Sequence, residues 1–190
     1  MIGTTFRDML MLFLLLMMFL VVAMVQHIHP PSQHQEHVPP PGNVIVHTFW
    51  PKGPQDVDTW MTGPGEPSPV GWTNPNGVLL DLLRDDTGTG YDATPLNYED
   101  VYSRGIVPGR YTVNVHCYSC VKLPVPVTVE ISVKGTAPDA KAKVIATTKI
   151  VLKAQAQEVT ALDFKLDALG NVVKGSMNTI YQPMVNKGSE

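Results

Sequence analysis

The longest apolar run of the chain lies within its first 26 residues. From Met9 to Val25 there is no charged residue, Gly or Pro, and a helix rising about 1.5 Å per residue would cover most of a bilayer's roughly 30 Å core over that run. The pattern predicts one transmembrane helix. A cleaved signal peptide is the alternative, but it needs a basic start, a shorter apolar core and a small-x-small cleavage site, and the sequence offers none of them convincingly.

Basic residues lie on one side of the apolar run. Arg7 and the amino terminus precede it, and no Lys or Arg follows it before Lys52. The positive-inside rule then places the amino terminus in the cytoplasm and everything after Gln26 outside.

Short alternating runs separated by Gly, Pro, Asn and Asp begin at Val44. Alternation of apolar and polar positions predicts strands with one buried face, although the run 77–84 alone could also form a short helix. Pro108-Gly109 and the two runs after it predict a hairpin, whose return strand begins at a sheet edge because Pro124 and Pro126 cannot donate to a ladder. The strands are predicted at 44–50, 56–61, 77–84, 97–102, 110–117, 124–133, 143–152 and 159–166.

These runs predict an all-β domain over residues 44–175, an antiparallel, immunoglobulin-like β-sandwich. Residues 1–26 form the amino terminus and helix, and residues 27–43 a His- and Pro-rich linker. Residues 176–190 have little periodicity, so we expect a flexible carboxyl-terminal tail unless a partner holds it.

Composition and motifs narrow the function. The 190 residues carry a net charge of −3 with scattered basic residues, which disfavours a nucleic-acid partner. No nucleophile elbow, phosphate-binding loop or HExxH motif occurs in the sequence. We therefore expect a protein that is not an enzyme.

Four histidines lie in the linker. His27, His29, His34 and His37 have spacings that could bind a transition metal, and imidazoles could sense acidity outside the membrane. A plain, extended polyproline-like spacer is the alternative.

Asp8 stands at the head of the apolar helix. It could cap the helix or favour its positive dipole, or it could lie inside the hydrocarbon and carry a proton. The segment from Phe6 to Leu10, running into Leu12 to Val21, resembles the single helix of the ExbD/TolR/MotB family, the rod subunits of ion-driven rotary motors. The resemblance implies a homodimer inside a pentameric TolQ/ExbB/MotA-like partner in the bacterial inner membrane, with Asp8 binding and releasing the coupling proton.

The outer domain resembles another family. The Trp-ended first strand, the segment from Asp56 to Trp60, the run from Leu80 to Leu82, and Pro108 to Val113 are similar to YfaP-like periplasmic β-sandwich domains. That resemblance implies a fold and a periplasmic location but no activity, and it leaves the outer target of a motor open.

Candidate chemistry in the outer domain is limited. Asp56, Asp58, Asp85 and Asp86 could gather oxygen ligands around Ca²⁺, with ordinary turn chemistry as the alternative. Cys117 and Cys120 favour a disulfide over a zinc site with His116. The tryptophans are expected in the core and loops, although an exposed Trp72 could stack on a sugar.

Two functions from different classes follow from these observations. The first is a rod subunit of a proton-driven motor that couples ion flow through Asp8 to work on a periplasmic target. The second is a membrane-tethered periplasmic binding module without ion transport.

Overall fold

The structure is a computed structural model that describes residues 2–28, 42–89, 96–137 and 140–185. The chain divides into two compact units, Met1–Val38 and Pro39–Glu190. In the first unit the described residues form the helix α1 (Ile2–Ile28). By length and composition its Gly3–Met24 stretch could cross a membrane, a test that a signal sequence also passes, and none of that stretch is buried within the protein.

The second unit is built from strands. They are β1 (Val44–Trp50), β2 (Asp56–Thr62), β3 (Leu80–Arg84), β4 (Asn97–Ser103), β5 (Gly109–Ser119), β6 (Val125–Lys134), β7 (Ala142–Leu152) and β8 (Glu158–Leu166). Each predicted run forms a strand, and the run 77–84 is a strand at its carboxyl end rather than a helix. The prediction of an antiparallel β domain after an apolar helix is confirmed.

The strands form two sheets. One has five strands in the order β3-β4-β1-β6-β7, and the other has three in the order β2-β5-β8; every pairing is antiparallel. Inward-facing side chains of both sheets join in one apolar core, with Val46 and Val129 from the first and Val113 and Phe164 from the second. Burying such side chains stabilises a fold by about 1.5–3 kcal/mol each.

The predicted hairpin of β5 and β6 is wrong. β5 pairs with β2 and β8, whereas β6 pairs with β1 and β7, so the segment between them crosses from one sheet to the other. Alternation specifies that each run is a strand, but both sheets of a sandwich offer the same kind of buried face. The partner of each strand is therefore set by long-range packing.

The prediction that β6 begins at a sheet edge is confirmed. β6 lies inside the five-stranded sheet, but its pairing with β1 ends at Thr128. Pro126 lies beyond that point and pairs with Val151 of β7. The missing proline N–H therefore leaves no carbonyl of β1 without a donor.

Residues 176–185 differ from the predicted flexible tail, and we call them the strap. Asn178 exchanges two backbone hydrogen bonds with Asp163 of β8, at 2.8 and 2.9 Å. The Gln182 N–H donates to Thr160 Oγ1 at 3.0 Å, and Met184 is buried. The strap thus covers β8, and residues 186–190 lie outside the described part of the chain.

Candidate ligand groove and acidic cluster

The structure brings together two of the four predicted calcium ligands and adds a third carboxylate. Asp58 lies on β2, Asp85 follows β3, and Glu99 lies on β4. Ligand oxygens of these three residues, one from each, lie within 4.8 Å of one another. We call Asp58, Asp85 and Glu99 the acidic cluster.

Glu99 was missed by the sequence reasoning. Its side chain is 1% exposed and closes the open edge of β2, because its Oε2 accepts the Thr59 N–H at 2.5 Å. Its Oε1 accepts the Asp86 N–H at 3.4 Å. Burial, with the charge of Asp58 adding to it, raises the pKa of Glu99 well above its ordinary value. The sequence signal that could have found Glu99 is its place on the buried side of the alternating strand β4.

Asp86 is not among the residues whose ligand atoms meet. One carboxylate oxygen pairs with Arg84 Nη2 at 2.8 Å and accepts the Tyr98 N–H at 3.1 Å. The other accepts the Gly88 N–H at 3.0 Å. The turn-chemistry alternative therefore describes Asp86, whose fully buried carboxylate organises the loop that carries Asp85.

Asp56 lies beside the cluster at the start of β2. Burial raises its pKa to about 7, and the neighbouring charges of Asp58, Asp85 and Asp86 act in the same direction. The local field around β2 is therefore strongly negative.

Asp58 connects the acidic cluster to a groove on the three-stranded sheet. It pairs with His116 of β5 in the antiparallel register, and its Oδ2 lies 3.1 Å from His116 Nδ1. Burial raises the pKa of Asp58, and the hydrogen bond from His116 opposes that rise. The His116 ring also lines the groove.

The groove has a volume of about 470 Å³. Trp72 and Tyr118 stand at it with 43% and 54% of their surfaces exposed, and their ring centroids lie 5.5 Å apart in an edge-to-face contact. Its lining consists of Trp60, Pro67, Ser68, Pro69, Trp72, Thr73, Asn74, His116, Tyr118, Met184 and Val185. It is thus a mainly apolar cleft with a few polar groups.

The loop after β2 builds one wall of the groove. Val70 exchanges two backbone hydrogen bonds with Met61 at 2.8 and 2.9 Å, and Gly71 and Asn74 close a tight turn. A Cβ at Gly71 would lie 2.6 Å from the Trp60 ring, so only Gly allows this close approach. The loop therefore lies directly on Trp60 and presents Trp72 outward.

The strap adds Met184 and Val185 to the groove lining, and a disulfide lies next to Tyr118 in the sequence. The Met184 N–H donates to Glu158 Oε1 at 2.9 Å, which holds Met184 in the lining. Cys117 and Cys120 are joined by a disulfide on either side of Tyr118. Since zinc binds thiolates, sulfur atoms bonded to each other are not ligands for the alternative zinc site with His116.

Asp8 lies in the second turn of α1, which begins at Ile2 and has no acidic residue in its first turn. A cap must precede the helix or lie at its first residue, so Asp8 does not cap α1, while the alternative that Asp8 favours the helix dipole stays a prediction. His27 lies in the last turn of α1, while His29, His34 and His37 lie outside the described residues.

Comparison of the chain with models of known protein families, with curated proteins and with solved structures found no match.

Proposed function

We propose that the protein is a membrane-tethered, extracytoplasmic binding module that takes a neutral sugar in the groove. In this proposal α1 anchors the chain in the bacterial inner membrane with its amino terminus in the cytoplasm, and the sandwich lies in the periplasm. The observation that carries the proposal is the pair of exposed rings, Trp72 and Tyr118, at a cleft that also contains polar groups.

Exposed aromatic rings at a cleft favour a ligand with an apolar face. Trp72 and Tyr118 leave large ring areas in water, and a pyranose presents a face of C–H groups that can cover them. Aromatic contacts contribute about 0.5–1.5 kcal/mol beyond the area they bury. Ser68, Thr73 and Asn74 line the same cleft and offer hydrogen bonds to sugar hydroxyls.

The charge of the lining favours a neutral ligand. Within the described residues, the lining contains no Lys or Arg, so an anion would find no matching charge. His116 uses Nδ1 for Asp58, which fixes the ring and leaves Nε2 as the nitrogen for a ligand hydroxyl.

The size of the groove favours a small ligand over a protein partner. Its volume of about 470 Å³ falls within the roughly 300–1,000 Å³ of small-molecule sites. A stable protein partner would instead cover about 800 Å² on each side.

The test is binding of the full chain, in detergent micelles, to an array of neutral glycans. We expect binding to at least one glycan and a loss of about tenfold or more in affinity for Trp72→Ala, which corresponds to about 1.4 kcal/mol. Phe49→Ala is the matched control, because Phe49 is an exposed ring, 40% accessible, on the other sheet. Absence of binding to every glycan, or equal affinity of wild type and Trp72→Ala, would contradict the proposal.

The anchor is tested separately by the mass of the protein purified from bacterial membranes. An intact amino terminus that resists alkaline extraction supports a membrane helix. A mature chain that has lost α1 would show that the apolar stretch is a signal peptide.

A second candidate function is the proton-carrying rod of a rotary motor. The observation that favours it is the position of Asp8 inside the apolar helix rather than at its end. A charge at mid-bilayer costs about 2.5–3.5 kcal/mol on insertion scales, and less near an end, so membrane carboxylates are candidates for function. In this proposal two copies lie inside a pentameric TolQ/ExbB/MotA-like partner, with their Asp8 side chains in unlike surroundings.

Asp8→Asn tests this candidate, because the amide keeps the shape and loses the titratable proton. We expect the complex to assemble while proton-driven activity is lost, and we expect Asp167→Asn, an exposed site of the outer domain, to leave activity unchanged. Native mass spectrometry that finds a lone monomer, or a symmetric homo-oligomer with no second protein, would leave only the tethered module.

A further inference from the structure

We propose that Asp58, Asp85 and Glu99, with the Thr59 hydroxyl, form a calcium site at the junction of the two sheets. The site lies at the open edge of β2, where the loop after β3 and strand β4 approach it. None of these four residues lines the groove, although Asp58 contacts His116 in the groove lining.

The spacing of the oxygen atoms fits one cation. Ca²⁺ binds oxygen at 2.3–2.6 Å, so oxygens on opposite sides of it lie about 4.6–5.2 Å apart. One oxygen from each of the three carboxylates lies within 4.8 Å of the others. A single ion could therefore contact all three carboxylates.

Burial makes the negative charge costly without a cation. Asp58 is 3% exposed and Glu99 is 1% exposed, and a buried carboxylate destabilises a fold unless it is paired. The guanidinium of Arg84 pairs with Asp86, whose carboxylate is not part of the cluster. His116 contacts Asp58. Among the described residues, no hydrogen bond joins His116 to Asp85 or to Glu99.

The Thr59 hydroxyl points to a missing ligand in the same place. Thr59 is fully buried, and its Oγ1 makes no hydrogen bond of acceptable geometry within the described chain. The Thr59 side chain nevertheless lies near the Glu99 carboxyl and lowers the pKa of Glu99, so the hydroxyl faces the acidic cluster. A buried hydroxyl without a partner costs about 1–3 kcal/mol, and coordination to a cation would remove that cost.

The chemistry of the donors selects calcium. The three carboxylates and the hydroxyl are hard oxygen ligands, which suit Ca²⁺ and Mg²⁺ rather than thiolate-seeking metals. Their unequal positions, two on strands and one in a loop, suit the flexible coordination of Ca²⁺ better than the strict octahedron that Mg²⁺ requires. Asp56 adds negative charge beside the site.

Thermal unfolding of the full chain in detergent, with EDTA or with saturating CaCl₂, tests the proposal. We expect calcium to raise the Tm by about 5 °C or more, as binding to the folded state alone predicts. Terbium luminescence gives a second readout, because Trp60 follows Asp58 by two positions on the same strand and could transfer its excitation to a bound ion.

Two variants remove ligands, and a third is the control. Asp85→Asn alters an exposed side chain, and Glu99→Gln keeps the buried shape; each is expected to weaken terbium binding by about tenfold or more, since affinity follows ligand charge. Glu130→Gln on β6, which lies outside the cluster, should keep the calcium response. If Glu99→Gln fails to fold, terbium binding to Asp85→Asn still tests whether the carboxylates bind the ion.

Three results would contradict the calcium site. The same Tm in EDTA and CaCl₂ would show that the carboxyls hold protons rather than a cation. Equal terbium affinity of the wild type and Asp85→Asn would also overturn the proposal, as would a response to Zn²⁺ but not to Ca²⁺.

Discussion

The outer faces of the two sheets carry similar polar residues in different surroundings. On the five-stranded sheet, His47 pairs with Asp100 at 2.5 Å and keeps 36% of its side chain exposed. On the three-stranded sheet, the corresponding polar residues are almost completely buried. They are Thr112, Asn114, His116, Thr160 and Asp163, none more than 7% exposed.

The difference comes from what covers the smaller sheet. The strap lies over β8, and the loop after β2 lies over Trp60. Asn114 Nδ2 donates to Glu158 Oε1 and to the Gln182 carbonyl, both at 2.6 Å. Polar groups that would otherwise face water thus bind other parts of the chain, and the groove forms where this cover ends.

The largest expected effect comes from removing residues 176–190. This change removes the buried Met184 side chain and takes partners from Asn114, Thr160 and Glu158. With about 0.5–1.5 kcal/mol for each of these three hydrogen bonds and about 1.5–3 kcal/mol for a buried Met, we expect a loss of about 3–7.5 kcal/mol in the free energy of unfolding. Urea unfolding measures it, and an unchanged midpoint would show that the strap does not stabilise this face.

Asp163→Ala is expected to cost about 2–4 kcal/mol, because it leaves polar groups without their acceptor. Asp163 Oδ2 lies 2.9 Å from Arg110 Nη1 and accepts from Gln182 Nε2 at 3.2 Å. The half-exposed Arg110 regains water, which keeps the cost below that of a fully buried pair. Denaturant unfolding is the measurement, and a cost below 1 kcal/mol would mean that this face is effectively solvated.

Glu158→Gln should cost about 1–2 kcal/mol, since the variant keeps the shape but weakens charge-assisted hydrogen bonds. Glu158 accepts from the Met184 N–H at 2.9 Å and from the Tyr181 hydroxyl at 2.8 Å. Faster amide exchange at Met184, with unchanged exchange in β1, is the expected signature. Equal protection of Met184 in wild type and variant would contradict the role of Glu158 in holding the strap.

The smallest effect is expected for Asp100→Asn on the five-stranded sheet. Its partner His47 is partly exposed, and exposed ion pairs contribute only about 0–1 kcal/mol. We expect a change of less than about 0.5 kcal/mol in urea unfolding. A loss as large as that of Asp163→Ala would remove the contrast between the two faces.

The sequence predicted several residues of the candidate sites. Asp58 and Asp85 were predicted as oxygen ligands, and Trp72 was singled out as an exposed ring. Glu99 was not, because whether a carboxylate on an alternating strand faces the core depends on register. Asp86 was assigned to the same site, but its backbone donors and Arg84 take its oxygens.

The sequence by itself determined the helix and every strand except β3, because both kinds of element depend on periodicity along the chain, while the run 77–84 fits either kind. The tertiary structure decided which sheet each strand joins, as β5 and β6 show. It also decided that the strap covers β8 and that Asp58, Asp85 and Glu99 meet. Alternation fixes which side of a strand is apolar, but contacts between residues far apart in the chain form only when side chains pack, and packing selects among pairings that the pattern leaves equal.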